Sequence, residues 1–195
     1  MDGPFRADGP RLPIEFSRVS HDGRVTLVID EQAGAIPTWV VALDVDGLDA
    51  AVEALGRRER IGRARWPSWI GAQLHAGTAG TRGDASEATR DAVSAWLPGS
   101  GYDGVVWTAL PSRCPDGRFA DPRTGELVDH LHALEGEARA RAEEYIRRAP
   151  HTVRTERRAH FEAELGWTAS EAPPNPPTPG VPEAPPDAPR PEGGR

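Results

Sequence analysis

The spacing of hydrophobic positions along this chain predicts three strands and then a helix. Apolar and polar residues alternate in PIEFSRV, residues 13–19, which is typical of a half-buried strand. RVTLVID, residues 24–30, is rich in β-branched residues and follows HDG, a hairpin-turn signal. IPTWVVALD, residues 36–44, is almost entirely apolar, which predicts a central strand buried on both faces. Since EQAG supplies a second tight turn, we expect a three-stranded meander.

Most of the remaining pattern is helical. Residues 46–60 carry apolar side chains at helical spacing, with Asp46 or Asp49 as the N-cap. Residues 63–83 are irregular, and their Trp66, Trp69 and Ile70 predict a loop that lies on the core. The other predicted elements are a helix over 84–97 with a capping box from Asp84 to Glu87, a strand over 102–110, two helices within 124–150 that break near Gly136 and stop at Pro150, and a last helix over 152–167 with Thr152 as its N-cap and Gly166 as its stop. This order predicts an α+β domain.

Composition separates a domain from two ends. Residues 1–11 carry two DGP triplets and little to bury, so we expect a loop or a truncated N-terminus there. Residues 12–167 contain the predicted domain. Ten of the 20 prolines follow Thr168, among almost no large apolar side chains. Such a segment cannot offset its ordering entropy, so residues 168–195 are predicted to be a disordered Pro-rich tail.

Charge and cysteine content exclude several classes of protein. A net charge of −7 argues against a nucleic-acid binder or a protein of anionic membranes. No apolar run approaches transmembrane length and no signal pattern opens the chain, so we expect a cytoplasmic protein. Cys114 is alone, and His130 and His132 are spaced to face apart on a helix, so we expect no disulfide, no metal and no cofactor.

Glu59 is the strongest candidate for chemistry. It falls about 40° from Leu55 on a helical projection, so it continues the apolar stripe that faces the core. A carboxyl group facing a dry interior has a raised pKa, as a general acid/base near neutral pH requires. The alternative is that Glu59 pairs with Arg58 or Arg63 at a solvent-exposed helix end.

Four other residues are weaker candidates for substrate binding. Arg18 and Ser20 end the first predicted strand and could contact a carboxylate, although such residues are more often solvated. Trp107 and Thr108 lie near the end of the 102–110 strand. Trp107 is either a core residue or a pocket wall, and in the second case Thr108 faces the ligand.

The order of these pieces resembles the γ-glutamylcyclotransferase-like superfamily, and most of all a bacterial branch of it. The resemblance covers roughly residues 12–167 and is carried by PIEFSRVS, VTLVIDEQAG, PTWVVALD, GLDAAVEALGRRERI, GVVWTALP and AEEYIRRAPHTVRTERRAHFEAELGW. It implies a small mixed β-barrel with flanking helices and a catalytic glutamate late in the helix after the third strand, a position that Glu59 matches. That glutamate shuttles the proton as the α-amine of a γ-glutamyl group attacks its own γ-carbonyl, which releases 5-oxoproline and a free amine.

One motif of the superfamily, a Tyr-Gly-Ser-Leu-type loop that holds the polar end of the substrate, is not found in this chain. Either translation starts upstream of Met1, or the protein lacks the first strand and the binding loop. Two functions therefore remain: cyclisation of a γ-glutamyl amine or a related γ-acyl substrate by Glu59, or non-catalytic binding of a small molecule or a protein on the same scaffold. A third hypothesis is an unrelated helical interaction protein with a β meander.

Overall fold

The first sheet has three antiparallel strands with the first strand in the middle. The computed structural model of the chain describes residues 5–75 and 85–170. The strands are β1 (Arg11–Val19), β2 (Val25–Ile29) and β3 (Ala35–Pro37), in the order β2-β1-β3. The predicted first two strands are confirmed, but the predicted meander is wrong. The chain after β2 crosses to the far edge of β1, so β1 and not β2 is flanked on both sides.

The predicted third strand is wrong over most of its length. Of residues 36–44, only the first two belong to β3, because Pro37 has no N–H to continue the ladder. Farther on, Val40 exchanges two backbone hydrogen bonds with Arg6, at 2.8 and 2.9 Å. The apolar side chains of this stretch do not fill two faces of a sheet, and they line a cavity described below. Arg6 is thus paired inside the predicted N-terminal loop.

A second sheet consists of two antiparallel strands, β4 (Ile70–Leu74) and β5 (Gly104–Thr108). The sequence predicted β5, but it placed β4 in an irregular loop. Gly71 pairs with Trp107, and a Cβ at Gly71 would lie 2.1 Å from the indole. Small residues are therefore needed at this point of β4. Because they add little to the hydrophobic pattern, the sequence did not predict this strand. The two sheets stay separate in the described residues, where no closed barrel forms.

Helices join and cover the sheets. They are α1 (Leu48–Arg58), α2 (Trp66–Trp69), α3 (Glu87–Ser100), α4 (Thr124–Ala133), α5 (Gly136–Arg148) and α6 (Glu156–Leu165). All the predicted helices exist, and the break near Gly136 and the stop at Gly166 are confirmed.

Several predicted helix caps are wrong. The N-cap of α1 is Gly47 and not Asp46 or Asp49, and no side chain caps that helix. Thr155 caps α6 and accepts the N–H of Arg158, whereas Thr152 accepts the indole N–H of Trp39. For α3 the N-cap is Ser86, and Asp84 lies outside the described residues, as do residues 171–195 of the predicted tail.

Two hydrophobic cores hold these layers together. The first lies between β1, β2 and the three C-terminal helices, and its buried members are Phe16, Val19, Val25, Leu127, Leu131, Ala142, Ile146, Ala149, Val153, Phe161 and Trp167. The second lies between α1 and the second sheet and contains Val52, Ile61, Trp69, Ile70 and Ala72. The predicted packing of Trp69 and Ile70 on the core is confirmed.

A buried guanidinium on α6 connects the first core to the loop before α4. Arg157 donates to Ser17 on β1, to the carboxylate of Asp121 at 2.8 Å and to the carbonyl of Pro122 at 2.8 Å. Asp30, which accepts the hydroxyl of Ser17, lies 3.5 Å from the same guanidinium. Buried charges are tolerated when they are paired and hydrogen-bonded in this way.

We expect Arg157→Ala to lower the free energy of unfolding by about 3 to 5 kcal/mol, because it leaves the buried Asp30 without its counter-charge. The matched control is Arg147→Ala, which removes an exposed pair with Glu143 and should cost at most about 1 kcal/mol. Urea unfolding followed by tryptophan fluorescence measures both. Equal losses for the two variants would contradict a structural role for the buried guanidinium.

Candidate functional site

A large cavity lies where the two sheets, α1, α3 and α5 meet. Its volume is about 840 Å³. The walls are mostly apolar and include Leu27, Val28 and Ile29 of β2, Val105, Val106 and Trp107 of β5, Leu48, Ala51 and Leu55 of α1, and Trp39 to Leu43 of the segment after β3. A cavity of this size with apolar walls and a few polar groups is typical of a small-molecule site.

Trp107 and Thr108 both line this cavity, as expected if they form a pocket wall. The indole of Trp107 also packs against Gly71 of the neighbouring strand. Trp107 therefore has both of the predicted roles. Its indole packs inside the second sheet, and the residue also forms part of the cavity wall.

Arg18 and Ser20 lie elsewhere. The guanidinium of Arg18 is buried, donates to the carbonyl of Pro111 at 2.8 Å and stacks on Trp69 at 5.4 Å. The hydroxyl of Ser20 bonds to Asp22 at 2.5 Å in the turn between β1 and β2. Neither residue is among those that line the cavity, so the structure does not bring these two together with Trp107.

Glu59 lies at the end of α1 and is turned partly inward. It is the C-cap residue, and its N–H donates to the carbonyl of Leu55 at 2.9 Å. Its carboxylate is 31% exposed and lies 3.3 Å from the Nε of Arg58, so the predicted ion pair is present. By contrast, Arg57 is 76% exposed and pairs with Glu53 along the outer face of the helix. The helical phase that separates Glu59 from Arg57 is thus observed.

Burial raises the pKa of Glu59 above its ordinary value, although the positive charges of Arg58 and Arg24 act in the opposite direction. Desolvation is the larger effect, as expected for a carboxyl group withdrawn from water. Glu59 does not itself line the cavity, but Arg58 and Arg24 both do. The carboxylate of Glu59 therefore lies beside Arg58 and close enough to Arg24 for their charges to interact, and both arginines line the cavity.

Sequence reasoning missed Arg24 and Tyr145, which complete this end of the cavity. Arg24 directly precedes β2, and its Nε lies 2.9 Å from the carboxylate of Asp22. Its guanidinium stacks on the ring of Tyr145 in α5, 5.3 Å from the ring centre. The two residues are far apart in the chain, so only the packing of α5 on β2 brings them together.

The histidines and the single cysteine do not form a metal site in the part of the chain that the structure describes. Nowhere in residues 5–75 and 85–170 do three His, Cys, Asp or Glu side chains gather in a way that could hold a metal ion. His130 contacts the carbonyl of Gly23 at 2.8 Å, and Cys114 is buried. The same residues contain no helix with the length and apolar content that crossing a membrane requires.

We expect Glu59→Gln to stabilise the fold at neutral pH. Because the pKa is raised on folding, the folded state loses stability as pH rises through that value, and the neutral amide avoids this loss. The gain should vanish below the ordinary glutamate pKa, where both states are protonated. Urea midpoints at pH 7.5 and pH 3.5 measure it.

The control for this substitution is Glu53→Gln on the same helix, which removes an exposed ion pair and should not stabilise the protein. A lower urea midpoint for Glu59→Gln than for the unmodified chain at pH 7.5 would show that the ionised carboxylate is well accommodated.

Comparison with known proteins adds no relative to this description. No family model matches the chain, no curated protein matches its sequence and no solved structure matches its fold. The resemblance to γ-glutamylcyclotransferases therefore stays a prediction. The cavity and the residues around it are the basis for proposing a function.

Proposed function

We propose that this chain binds a small organic molecule in the cavity of about 840 Å³. The observation that carries this proposal is the size of the cavity together with its apolar walls. Both sheets and three helices contribute side chains to those walls, so the packing of several elements forms the cavity. This is the non-catalytic hypothesis of the sequence analysis in its small-molecule form.

The energetics of an apolar cavity favour an occupant. Side chains such as Leu12, Ile14 and Val106 border it, and an apolar ligand that contacts them removes their surface from water. A ligand with a large apolar surface therefore gains affinity without any specific polar contact.

We expect the neutral dye Nile red to bind the protein with enhanced, blue-shifted fluorescence, and Ala51→Phe to weaken that binding by at least about tenfold. Ala51 faces the cavity from α1, so an added phenyl ring occupies space that the ligand needs. Ala50→Phe places the same ring on the same helix at a position that does not line the cavity, and it should leave binding unchanged. Equal affinities for the two variants would place the dye outside the cavity.

A second candidate function, general acid/base catalysis by Glu59, is favoured by the raised pKa of this half-buried carboxyl group. In the cyclisation that the resemblance implies, Glu59 takes a proton from the α-amine as that nitrogen bonds to the γ-carbonyl carbon. The bond from this carbon to the leaving amine then breaks, and Glu59 returns the proton to the leaving nitrogen. In this mechanism the glutamyl end of the substrate binds beside Arg24 and Arg58, which line the cavity and whose charges act on Glu59.

Under this second hypothesis, the protein should convert γ-glutamyl-p-nitroanilide into equal amounts of p-nitroaniline and 5-oxoproline. Glu59→Gln should lower the rate by at least about 100-fold, as loss of a general acid/base typically does. The rate should rise with pH through the raised pKa of Glu59, because the base must be ionised to accept the proton.

Glu53→Gln is the control for this assay and should leave the rate unchanged. Release of 5-oxoproline at the same rate by the protein and by Glu59→Gln would exclude this role of the residue, as would release that does not exceed the reaction in buffer.

A further inference from the structure

Arg24 is a nearly buried cation with unused hydrogen-bond donors. Its side chain is 12% exposed, and its Nε is engaged by Asp22. Its two terminal NH₂ groups make no hydrogen bond to any residue in the described part of the chain, and the residue lines the cavity. A guanidinium carries five N–H donors in a planar fork, so the terminal groups of Arg24 remain available to bind an acceptor in the cavity.

Tyr145 supplies a second donor at the same place. Its ring lies under the guanidinium of Arg24, and its hydroxyl oxygen accepts the N–H of Leu27 at 3.4 Å. The proton of this hydroxyl has no acceptor among the residues that the structure describes. Burial raises the pKa of Tyr145, so the hydroxyl keeps its proton and stays a donor.

Two arginines of α5 also line the cavity, but they are more exposed than Arg24 and are paired differently. Arg148 is 48% exposed and pairs with Glu144 at 3.0 Å, while Arg141 pairs with Glu137 at 3.1 Å. Both pairs follow helical i,i+4 spacing on the surface, where such pairs contribute little energy. Arg24 is therefore the most buried of these three arginines.

We propose that the ligand of the cavity is an amphipathic carboxylate. Its carboxylate accepts hydrogen bonds from the terminal NH₂ groups of Arg24 and from the hydroxyl of Tyr145, and its apolar body lies along β2, β5 and α1. The inference rests on the proposed binding function and names the chemical class of the ligand. A carboxylate suits this site better than a neutral carbonyl, because hydrogen bonds from a guanidinium to an ionised acceptor are about twice as strong and can form in pairs.

The charge around the site is compatible with an added anion. The guanidiniums of Arg24 and Arg58 face the carboxylates of Asp22 and Glu59, so the four groups nearly cancel. Of these four groups, only the two guanidiniums belong to residues that line the cavity. A carboxylate bound at this end of the cavity therefore lies beside positive charge.

The experiment is displacement of Nile red from the full-length protein by laurate, by its neutral analogue dodecanamide, and by acetate. We expect laurate to displace the dye at a concentration at least about tenfold lower than dodecanamide, because the charged head group gains charge-assisted hydrogen bonds. Acetate has the head group without the apolar body and should not displace the dye in the same range.

Two variants place the head group. Arg24→Gln should weaken laurate by at least about tenfold and leave dodecanamide almost unchanged. Tyr145→Phe removes a single oxygen atom, so it keeps the test valid if Arg24→Gln fails to fold, and it should weaken laurate several-fold. Arg147→Gln is the matched control on α5. This arginine pairs with Glu143 and does not line the cavity, so the variant should leave the affinity for laurate unchanged.

The outcomes separate this inference from the binding function. If Nile red binds but laurate and dodecanamide displace it equally, or if Tyr145→Phe leaves their ratio unchanged, the carboxylate assignment is overturned and binding in the cavity stands. If neither Nile red nor laurate binds, as measured directly by calorimetry, both proposals fail.

Discussion

The arrangement of the first core depends on the hydrogen bonds and the ion pairs that the buried guanidinium of Arg157 makes. It joins β1, through Ser17, to the loop before α4, through Asp121 and Pro122, while the guanidinium itself stands on α6. Ser17 lies where the register between β1 and β2 shifts, and its hydroxyl donates to Asp30 just beyond β2. One charged group thus fixes both strands and the last helix relative to each other. Apolar packing alone would leave these contacts free to slide, because it is not directional.

Arg158, next to Arg157 on α6, holds the end of α5, which borders the cavity. Arg158 donates to the carbonyls of Ala149, Pro150 and Val153, which end α5 and begin the connection to α6. Ala149 is the C-cap of α5, where helical hydrogen bonds no longer satisfy the carbonyls, and Arg158 supplies a donor there. The end of α5 is held in this way, and with it Tyr145 against the cavity. Two adjacent arginines on α6 therefore position the first sheet and the site at which we place a ligand.

Local pattern predicted what depends on one element at a time. The helical spacing of α1 was enough to predict that Glu59 and Arg57 lie on different faces. The alternation of apolar and polar residues over 13–19 was enough to predict β1. The strand order was not predictable, because the choice between β1 and β2 as the central strand depends on contacts across the sheet. The apolar stretch over residues 36–44 misled for a related reason. Cavity walls and buried strands both require continuous apolar sequence, and only tertiary structure distinguishes them.

The two candidate functions make related demands on the same end of the cavity. A γ-glutamyl amine with an apolar amine portion is itself an amphipathic carboxylate: its α-carboxylate suits Arg24 and its amine portion suits the cavity walls. Glu59 is close enough to Arg24 for their charges to interact, so a head group held there stands near a carboxyl group that can exchange a proton. The proposed binding does not require chemistry, because the apolar walls and Arg24 offer the same contacts to such a ligand whether or not Glu59 reacts with it. Catalysis needs the further condition that the reacting carbon reach Glu59, which does not itself line the cavity, so the binding function stands on fewer requirements.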